Sequence, residues 1–493
     1  MVDGSFAERI EHALREHAAR GRTALVGEFG RVSYRDLADR AASAAATIHG
    51  WRLPPGSTLG IAAAKNPDAV AAFLGALRAG VCACFLEPRL SLDATTARIE
   101  EFGIARVVTG GGDFHVPQHT TQPIASLFPS TPSPHSEPLR WPGDDDHAVM
   151  LFTSGSTGRP KAIKLTHANL RCNAEGVLER TGITPDDVLL HIMPVHHTNG
   201  VNNQLIAPLL AGATVALVER FDASALESQL ARYEPTIVTG VPTMYLRALD
   251  HLGPGYRRRR LRFLRCGSAP ITPVQQQRIE SAFGVPLVLS YGLSEATCTS
   301  TMNPPGARRV GSVGTVLNGQ SVGIFAPGGA ERVGAGEEGE VRIAGPALME
   351  GYVGGEDSPI EDGWLRTGDL GRLDADGYLT ITGRIKDVII RGGENIAPGA
   401  IESVLARHSG VAQCAVVGVE HPDLGQVPRA YVVPASASSP PDEAEIRDYL
   451  RAELSRPYVP DRVHYLEDLP VNRVGKIDRN VLRELGRNGG GRA

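Results

Sequence analysis

Leu151–Lys161, LFTSGSTGRPK, joins an apolar run to a cluster of hydroxyl side chains, glycines and one lysine. A loop of this composition can fold its backbone N–H groups and Ser/Thr hydroxyls around phosphate oxygens, with the lysine ammonium as a compact positive charge. The G-x-x-x-x-G-K-[ST] spacing of a Walker A loop is absent, and Pro160 separates Arg159 from Lys161. By itself the segment is a candidate phosphate cradle, with a plain polar turn as the alternative.

Other suggestive patterns fail on context. Gly334, Gly336 and Gly339 spell G-x-G-x-x-G, but a charged turn precedes them and a strand-like run follows, the reverse of a dinucleotide-binding strand–turn–helix. No G-x-S-x-G or H-E-x-x-H occurs. His196 and His197 are adjacent, and neighbours on a helix diverge, so a dedicated metal site is not expected there. The basic run Arg257–Arg260 reads as a solvated loop or helix end, and Lys65 as a surface residue.

Downstream of the loop lie, in order, CGSAP (Cys266–Pro270), LSYGLSEAT (Leu289–Thr297), WLRTGDLG (Trp364–Gly371), GRIKDVIIRGGENIAP (Gly383–Pro398) and PVNRVGKIDR (Pro470–Arg479). Together with the first motif these resemble the adenylate-forming (AMP-binding) superfamily of acyl-CoA synthetases and adenylation domains, across essentially the whole chain. The resemblance implies that Thr153, Ser154, Gly155, Ser156, Thr157, Gly158 and Lys161 hold the outer phosphates of ATP. It implies that Gly267, Ser268 and Ala269, with Ser290, Tyr291, Gly292, Leu293 and Ser294, frame the adenine and the acyl group. Glu295 would supply a carboxylate oxygen to Mg²⁺, a hard cation that shares its ligands with phosphate. Asp369 would accept from the ribose hydroxyls, with Arg384 beside it. Lys476 would bridge the acid and the α-phosphate, two anions that repel without it. Lys386 would be the hinge on which a small domain turns, withdrawing Lys476 and presenting Arg391–Glu394 to a thiol. Ser294 stands where the family usually has Thr, and Ala162 where it usually has Gly; neither change disables the site.

The acid is less sharply defined. HIMPVHHTNGVNNQLIAPLLAGATV resembles the segment that opens the acyl pocket, with His197 at the family's recurring histidine. The Asp that pairs with an α-amino group in peptide-synthetase domains has no counterpart there, which disfavours α-amino acids. If Asn199, Asn202 and Asn203 face the pocket, unpaired amides penalise an alkyl tail, so a small or polar acid is expected, with Gly240, Gly267 and Gly292 leaving room for it. CoA and a carrier-protein phosphopantetheine present the same thiol, and an amine acceptor or an unusual small anion as substrate stays open. A catalytically degenerate nucleotide-binding protein would have lost Lys476, Glu295 or Asp369; all three are present.

These residues need a large scaffold. The chain has 493 residues, too many for one small module, and its 42% hydrophobic and 21% charged composition fits an ordinary soluble globular protein. A net charge of -5 gives no general attraction to nucleic acid or anionic membrane. Of 50 basic residues only five are lysines, Lys65, Lys161, Lys164, Lys386 and Lys476, so three of the five fall in the motifs. The expected architecture is α/β: a large domain over 1–384 of layered sheets flanked by helices, with a β-rich subdomain at about 310–384. A small mobile α+β domain over 387–487 and a disordered tail over 488–493 follow. Val116–Gly143, with seven prolines, reads as a long surface loop. Six scattered cysteines fit a reducing cytoplasm. The N-terminus is amphipathic and acidic, unlike a signal peptide, and the longest apolar run, Leu205–Val218, is too short to span a bilayer.

Overall fold

The computed structural model describes residues 4–129, 139–154, 160–253, 256, 259–355, 358–436, 438–472 and 476–487. The expected tail, 488–493, lies outside the described residues.

Two sheets with parallel centres make the larger part. One runs in the order Thr121–Pro123, Ile104–Gly110, Thr58–Ala63, Cys82–Phe85, His147–Ser154 and Pro160–Thr166, antiparallel only at its last pair. The other has nine strands; its parallel centre runs Leu287–Tyr291, Phe263–Cys266, Ile237–Gly240, Val188–His191, Thr214–Leu217 and Thr23–Gly27. Strands covered on both faces need apolar side chains throughout, and Thr58–Ala63 is buried at every position.

Helix Pro67–Arg78 shows how the layers close. Asn66 caps it by accepting from the Ala69 N–H, Pro67 starts it, and Ala69–Leu77 are all buried. It packs on helix Tyr34–Gly50 so closely that a Cβ at Gly75 would stand 2.5 Å from the Ala44 Cβ. One continuous core joins these helices to both sheets through Leu59, Val149, Leu189, Val215, Ile237 and Val288.

The stretch read as a long loop contains a strand. Thr121–Pro123 pairs in parallel with Val107–Thr109, and Ile124 and Leu127 are buried after it. Prolines at 117 and 123 suit this place because the strand lies at the sheet edge, where a missing N–H breaks no ladder. Residues 130–138 of that stretch lie outside the described residues.

A five-stranded antiparallel sheet follows: Ser321–Phe325, Gly339–Ala344, Trp364–Leu373 and Ile360–Glu361, with Leu379–Arg384 also on Trp364–Leu373. The G-x-G-x-x-G sequence is the turn entering Gly339–Ala344, as its context implied. After a short 3₁₀ turn, Ile385–Asp387, the chain builds a last sheet from Ile389–Arg391, Glu394–Ile396, Val411–His421, Gly425–Pro434 and Arg462–Tyr465. This sheet has its own apolar cluster, including Ile389, Ile401, Val416, Val432 and Ile446. Among the described residues no helix is long and apolar enough to cross a membrane.

Candidate active site

The phosphate segment is a strand pair. Thr153 lies opposite Lys161 and Phe152 opposite Ala162, so the hydroxyl and the ammonium leave the sheet side by side. Gly155, Ser156, Thr157 and Gly158 lie outside the described residues, and of Ser154 only the backbone is described. Lys161 sets its Nζ 4.4 Å from the centre of the Tyr352 ring, and the Tyr352 hydroxyl donates to Glu295 Oε1 at 3.1 Å. One tyrosine therefore spaces a cation from a carboxylate. Nothing in the sequence pattern singles out Tyr352, which lies about 190 residues from Lys161 and is brought in by an isolated bridge to Ile163.

Glu295 sits on a loop that turns back on itself. Ser300 N–H bonds to the Tyr291 carbonyl at 2.8 Å and Cys298 N–H to the Leu293 carbonyl at 2.9 Å. A Cβ at Gly292 would fall 2.1 Å from the Cys298 oxygen, so only glycine admits this fold-back. Thr297 and Cys298 both take left-handed backbone, φ 55° and 98°, an uncommon conformation for residues with a side chain. The loop is tied down by Met349 N–H on the Glu295 carbonyl and by Thr297 Oγ1 on the Ala347 carbonyl, at 2.8 and 2.6 Å. Ser294, next to Glu295, opens the loop's short 3₁₀ turn.

Gly267 and Ser268 end the strand Phe263–Cys266, with Ala269 next. Ser268 is left-handed, φ 66°, and Gly267 lies against Ser290, whose Oγ would be 2.8 Å from an added Cβ. Asp369 is 5% exposed and already doubly bonded: Oδ1 accepts from Arg384 Nε at 2.5 Å and Oδ2 from the Tyr291 hydroxyl at 2.8 Å. Burial, then Asp369, push the Tyr291 phenol well above its ordinary value, so it stays a donor. Asp369 also pairs with Arg384 in strand register, which fixes the ion pair from the backbone.

Lys476 comes from the far end of the chain. A small hairpin holds it: Val471 bridges Ile477, Asn472 N–H donates to the Lys476 carbonyl at 2.7 Å, and Lys476 N–H to Asn472 Oδ1 at 3.0 Å. Its side chain keeps solvent-accessible surface, yet protein crowds the ammonium: desolvation, then Arg384, lower its pKa, while Asp369, Glu295 and Cys298 oppose the shift. The structure thus brings Lys476 within electrostatic reach of Glu295, Asp369 and Arg384. Lys386 is exposed on the turn between the five-stranded antiparallel sheet and the last, mixed sheet. Arg247 on helix Pro242–Leu249 pairs with Asp468, just after the strand Arg462–Tyr465, at 2.7 Å.

His197 also faces this cleft. Burial holds its pKa down to about 3, with His196 and Lys476 adding to the shift, so the imidazole is neutral, and its Nε2 has no partner among the described residues. The pair His196–His197 is not helical: it lies in the turn after Pro194, and the rings meet at 4.6 Å between centroids. The divergence expected of helical neighbours therefore does not apply. Among the described residues no group of three or more His, Cys, Asp or Glu side chains could hold a metal. A single half-buried carboxylate, Glu295, fits Mg²⁺ that takes its other ligands from phosphate and water.

After His197 the chain forms a buried π-helix, Asn199–Ile206, a rare form found mostly at functional sites. Of the amides expected to line a pocket, the Asn202 and Asn203 nitrogens are bonded within the protein, while Asn202 Oδ1 and Asn203 Oδ1 have no partner among the described residues. Asn202 Nδ2 donates to Asn173 Oδ1 at 2.9 Å, Asn203 Nδ2 to Thr299 Oγ1 at 2.9 Å, and Asn199 Oδ1 accepts from Gln204 at 3.2 Å. Buried amides need partners, and helix His167–Thr181 and the Glu295 loop supply them. Gly240 lies against Tyr245, whose hydroxyl would be 3.3 Å from an added Cβ. Lys65 is not on the surface: its Nζ donates to the carbonyls of His191 and Met193 at 3.3 and 2.9 Å, and burial lowers its pKa to about 7. An apolar strand followed by Lys-Asn at a helix start gave no sign of this.

Residues 11–353 match the AMP-binding enzyme family, and residues 400–476 match the AMP-binding enzyme C-terminal domain. A sulfoacetate–CoA ligase of Cupriavidus necator is 38% identical over 74% of this chain and 73% of its own length. A feruloyl-CoA synthase of Amycolatopsis sp is 32% identical over 92% and 93%. The o-succinylbenzoate coenzyme A synthetase of Bacillus subtilis, solved in complex with ATP and a magnesium ion, superposes with a TM-score of 0.81 at 28% identity. That match covers 95% of this chain and 98% of the other. With one family spanning both the phosphate segment and the Lys476 hairpin, the chain belongs to the AMP-binding enzymes.

Proposed function

We propose that this protein is an AMP-forming acid–CoA ligase: it joins a short or polar carboxylic acid to the α-phosphate of ATP, releasing pyrophosphate, and passes the acyl group to the thiol of CoA. The observation that carries the reading is the convergence of Lys476 with Glu295, Asp369 and Arg384, from segments up to about 180 residues apart. In this reading Thr153 and Lys161, with the intervening loop, hold the outer phosphates, and Glu295 offers an oxygen to Mg²⁺. The metal, when bound, offsets charge on the departing pyrophosphate. Asp369 takes the ribose hydroxyls, exchanging the Tyr291 donor for them while Arg384 keeps it oriented. Gly267–Ala269 and Ser290–Leu293 frame the adenine and the acid. Neutral His197 offers a ring nitrogen to the substrate without adding charge.

Lys476 sets a cation between two anions that otherwise repel, and is most effective where protein, not water, surrounds the reacting atoms. Transfer to the thiol calls for a different arrangement. The body over 1–384 and the domain over 387–487 turn about Lys386, which removes the Lys476 hairpin and brings in the Arg391–Glu394 turn. CoA is the acceptor favoured by the relatives' names; a carrier-protein phosphopantetheine is the same thiol on a larger partner. Six free cysteines fit a reducing cytoplasm as the place of reaction.

The test is pyrophosphate release against a panel of acids, with AMP and thioester measured with and without CoA. Acid-dependent pyrophosphate and CoA-dependent thioester are expected. ATP hydrolysis to ADP, or no acid dependence with any member, would sink the reading.

A further inference from the structure

We propose that Arg265 is the floor of the acyl pocket and holds a second anionic group, carboxylate or sulfonate, at the far end of a short dianionic acid. This rests on the ligase reading above and names the substrate class it left open.

Arg265 lies in the strand Phe263–Cys266 at the centre of the nine-stranded sheet and heads the largest fully buried side chains of the protein, 1% exposed. Among the described residues its guanidinium has no hydrogen bond and no ion pair, and its Nε and Nη1 are buried without a partner. The other deeply buried arginine, Arg342, shows what the fold does otherwise: it is 5% exposed and pairs with Glu340 at 3.0 Å. An isolated buried cation is among the least favourable groups a protein can carry, so an anion is the missing partner. Burial lowers the pKa only to about 10, and the group stays charged at neutral pH.

The surroundings face the same way. Leu264 and Cys266 belong to the outer apolar cluster with Tyr245, so strand alternation turns Arg265 to the opposite face. There its register partner is Thr239, and the partner of Thr239 one strand further is His191. Thr239 Oγ1 and His191 Nδ1 also lack partners, which makes one row of three unsatisfied polar side chains across three strands. The other His191 nitrogen, Nε2, lies 2.9 Å from the Gly200 carbonyl, placing the row beneath the π-helix that follows His197. Ser300 Oγ, on the loop that carries Cys298, is unpartnered too.

Cys298 is within electrostatic reach of both Arg265 and Lys476, so both cations border the loop that carries Glu295 and Cys298. An acid with its reacting carboxylate near Lys476 and His197 can then reach Arg265 only with a second anion on a short spacer. A planar guanidinium fork suits carboxylate or sulfonate oxygens, and the unpartnered hydroxyls of Thr239 and Ser300 can donate to the same oxygens.

The experiment measures kcat/KM for pyrophosphate release with matched acids: malonate, succinate and sulfoacetate against propionate, butyrate and acetate. It is run on the wild type, Arg265→Met and Arg265→Lys. The wild type is expected to prefer a dianion by about a hundredfold or more. In Arg265→Met the dianion should lose about a hundredfold more than its monoanionic partner, with part of the preference restored in Arg265→Lys. Equal turnover of both acid classes by the wild type overturns the proposal without any variant, and equal losses in Arg265→Met show a purely structural arginine. Calorimetric binding of malonate, succinate and sulfoacetate separates this idea from the ligase reading. If no acid releases pyrophosphate, a dianion that binds the wild type at least about tenfold more tightly than Arg265→Met supports the Arg265 site while the ligase reading falls. Absence of any such difference removes both.

Discussion

The two ends of the cleft treat charge in opposite ways. At the nucleotide end Asp369 has Tyr291 and Arg384, Glu295 has Tyr352, and Lys161 lies over the Tyr352 ring. At the acid end Arg265, Thr239 and His191 Nδ1 have no protein partner among the described residues. The difference follows from what each end must do. A ligand common to every turnover can be met by groups that protein contacts already hold in place, since preorganised dipoles need not reorient during reaction. Selection among acids is sharper where buried groups stay unpaired unless the right substrate supplies the partner.

The largest effect expected is at Lys476, the cation between the two ends. Lys476→Ala should lower ATP–pyrophosphate exchange by about a thousandfold, the scale for removing a group that stabilises developing charge. Thioester formation from supplied acyl-adenylate should persist. Exchange close to wild type would break the comparison at its centre, because the two ends would then react without the bridge.

Asp369→Asn comes next. It keeps the shape but removes the charge that Arg384 faces at 2.5 Å, and an amide nitrogen cannot accept from a ribose hydroxyl. KM for ATP should rise by about ten- to a hundredfold with a far smaller change in KM for the acid. A matching rise for the acid would show that the ends are not separate.

The same contrast explains what the sequence revealed. Lys476, Asp369 and Glu295 stand in contiguous motifs whose spacing is set by one hairpin or one strand, so they could be read locally. Tyr352 and Lys65 act through contacts that only the tertiary fold creates, the first across about 190 residues and the second by folding over the end of the strand Val188–His191. Arg265 carried a faint signal, a lone charge in the apolar run FLRC, but its burial within the nine-stranded sheet comes from the tertiary fold. The α/β architecture was legible in the sequence, whereas the ends of helices such as Tyr34–Gly50 depend on caps and packing. Val116–Gly143 misled because proline-rich composition also suits an edge strand. Spacing marked Asn202 as polar but did not say which partner its Nδ2 finds, Asn173.

A pH profile sharpens the comparison further. Lys476 works in its charged form, and its pKa is lowered by desolvation and by Arg384, so kcat/KM for adenylation should fall on the alkaline side before an ordinary lysine would titrate. Stability moves the other way in that window. Between the lowered folded value and the ordinary unfolded value the unfolded chain holds more protons, so this group adds stability as pH rises. A melting temperature that drops together with activity would assign the limb to unfolding instead. Lys476→Arg should lack the limb, since a guanidinium does not titrate there.

Tyr352→Phe is the smallest change and the finest probe of the paired end. The ring under Lys161 remains, and only the hydroxyl that donates to Glu295 at 3.1 Å is lost. Glu295 keeps its backbone anchor, the Met349 N–H on its carbonyl, so the loop should hold while the carboxylate gains rotational freedom. The expected result is a rise of about three- to tenfold in the Mg²⁺ concentration needed for half-maximal exchange, the scale of one neutral donor to a charged acceptor. The preference among acids should not change, because Arg265 lies at the other end. If the acid preference shifted along with the Mg²⁺ dependence, the Glu295 loop would have to be coupling the two ends through Cys298, which it carries, and their separation would be lost.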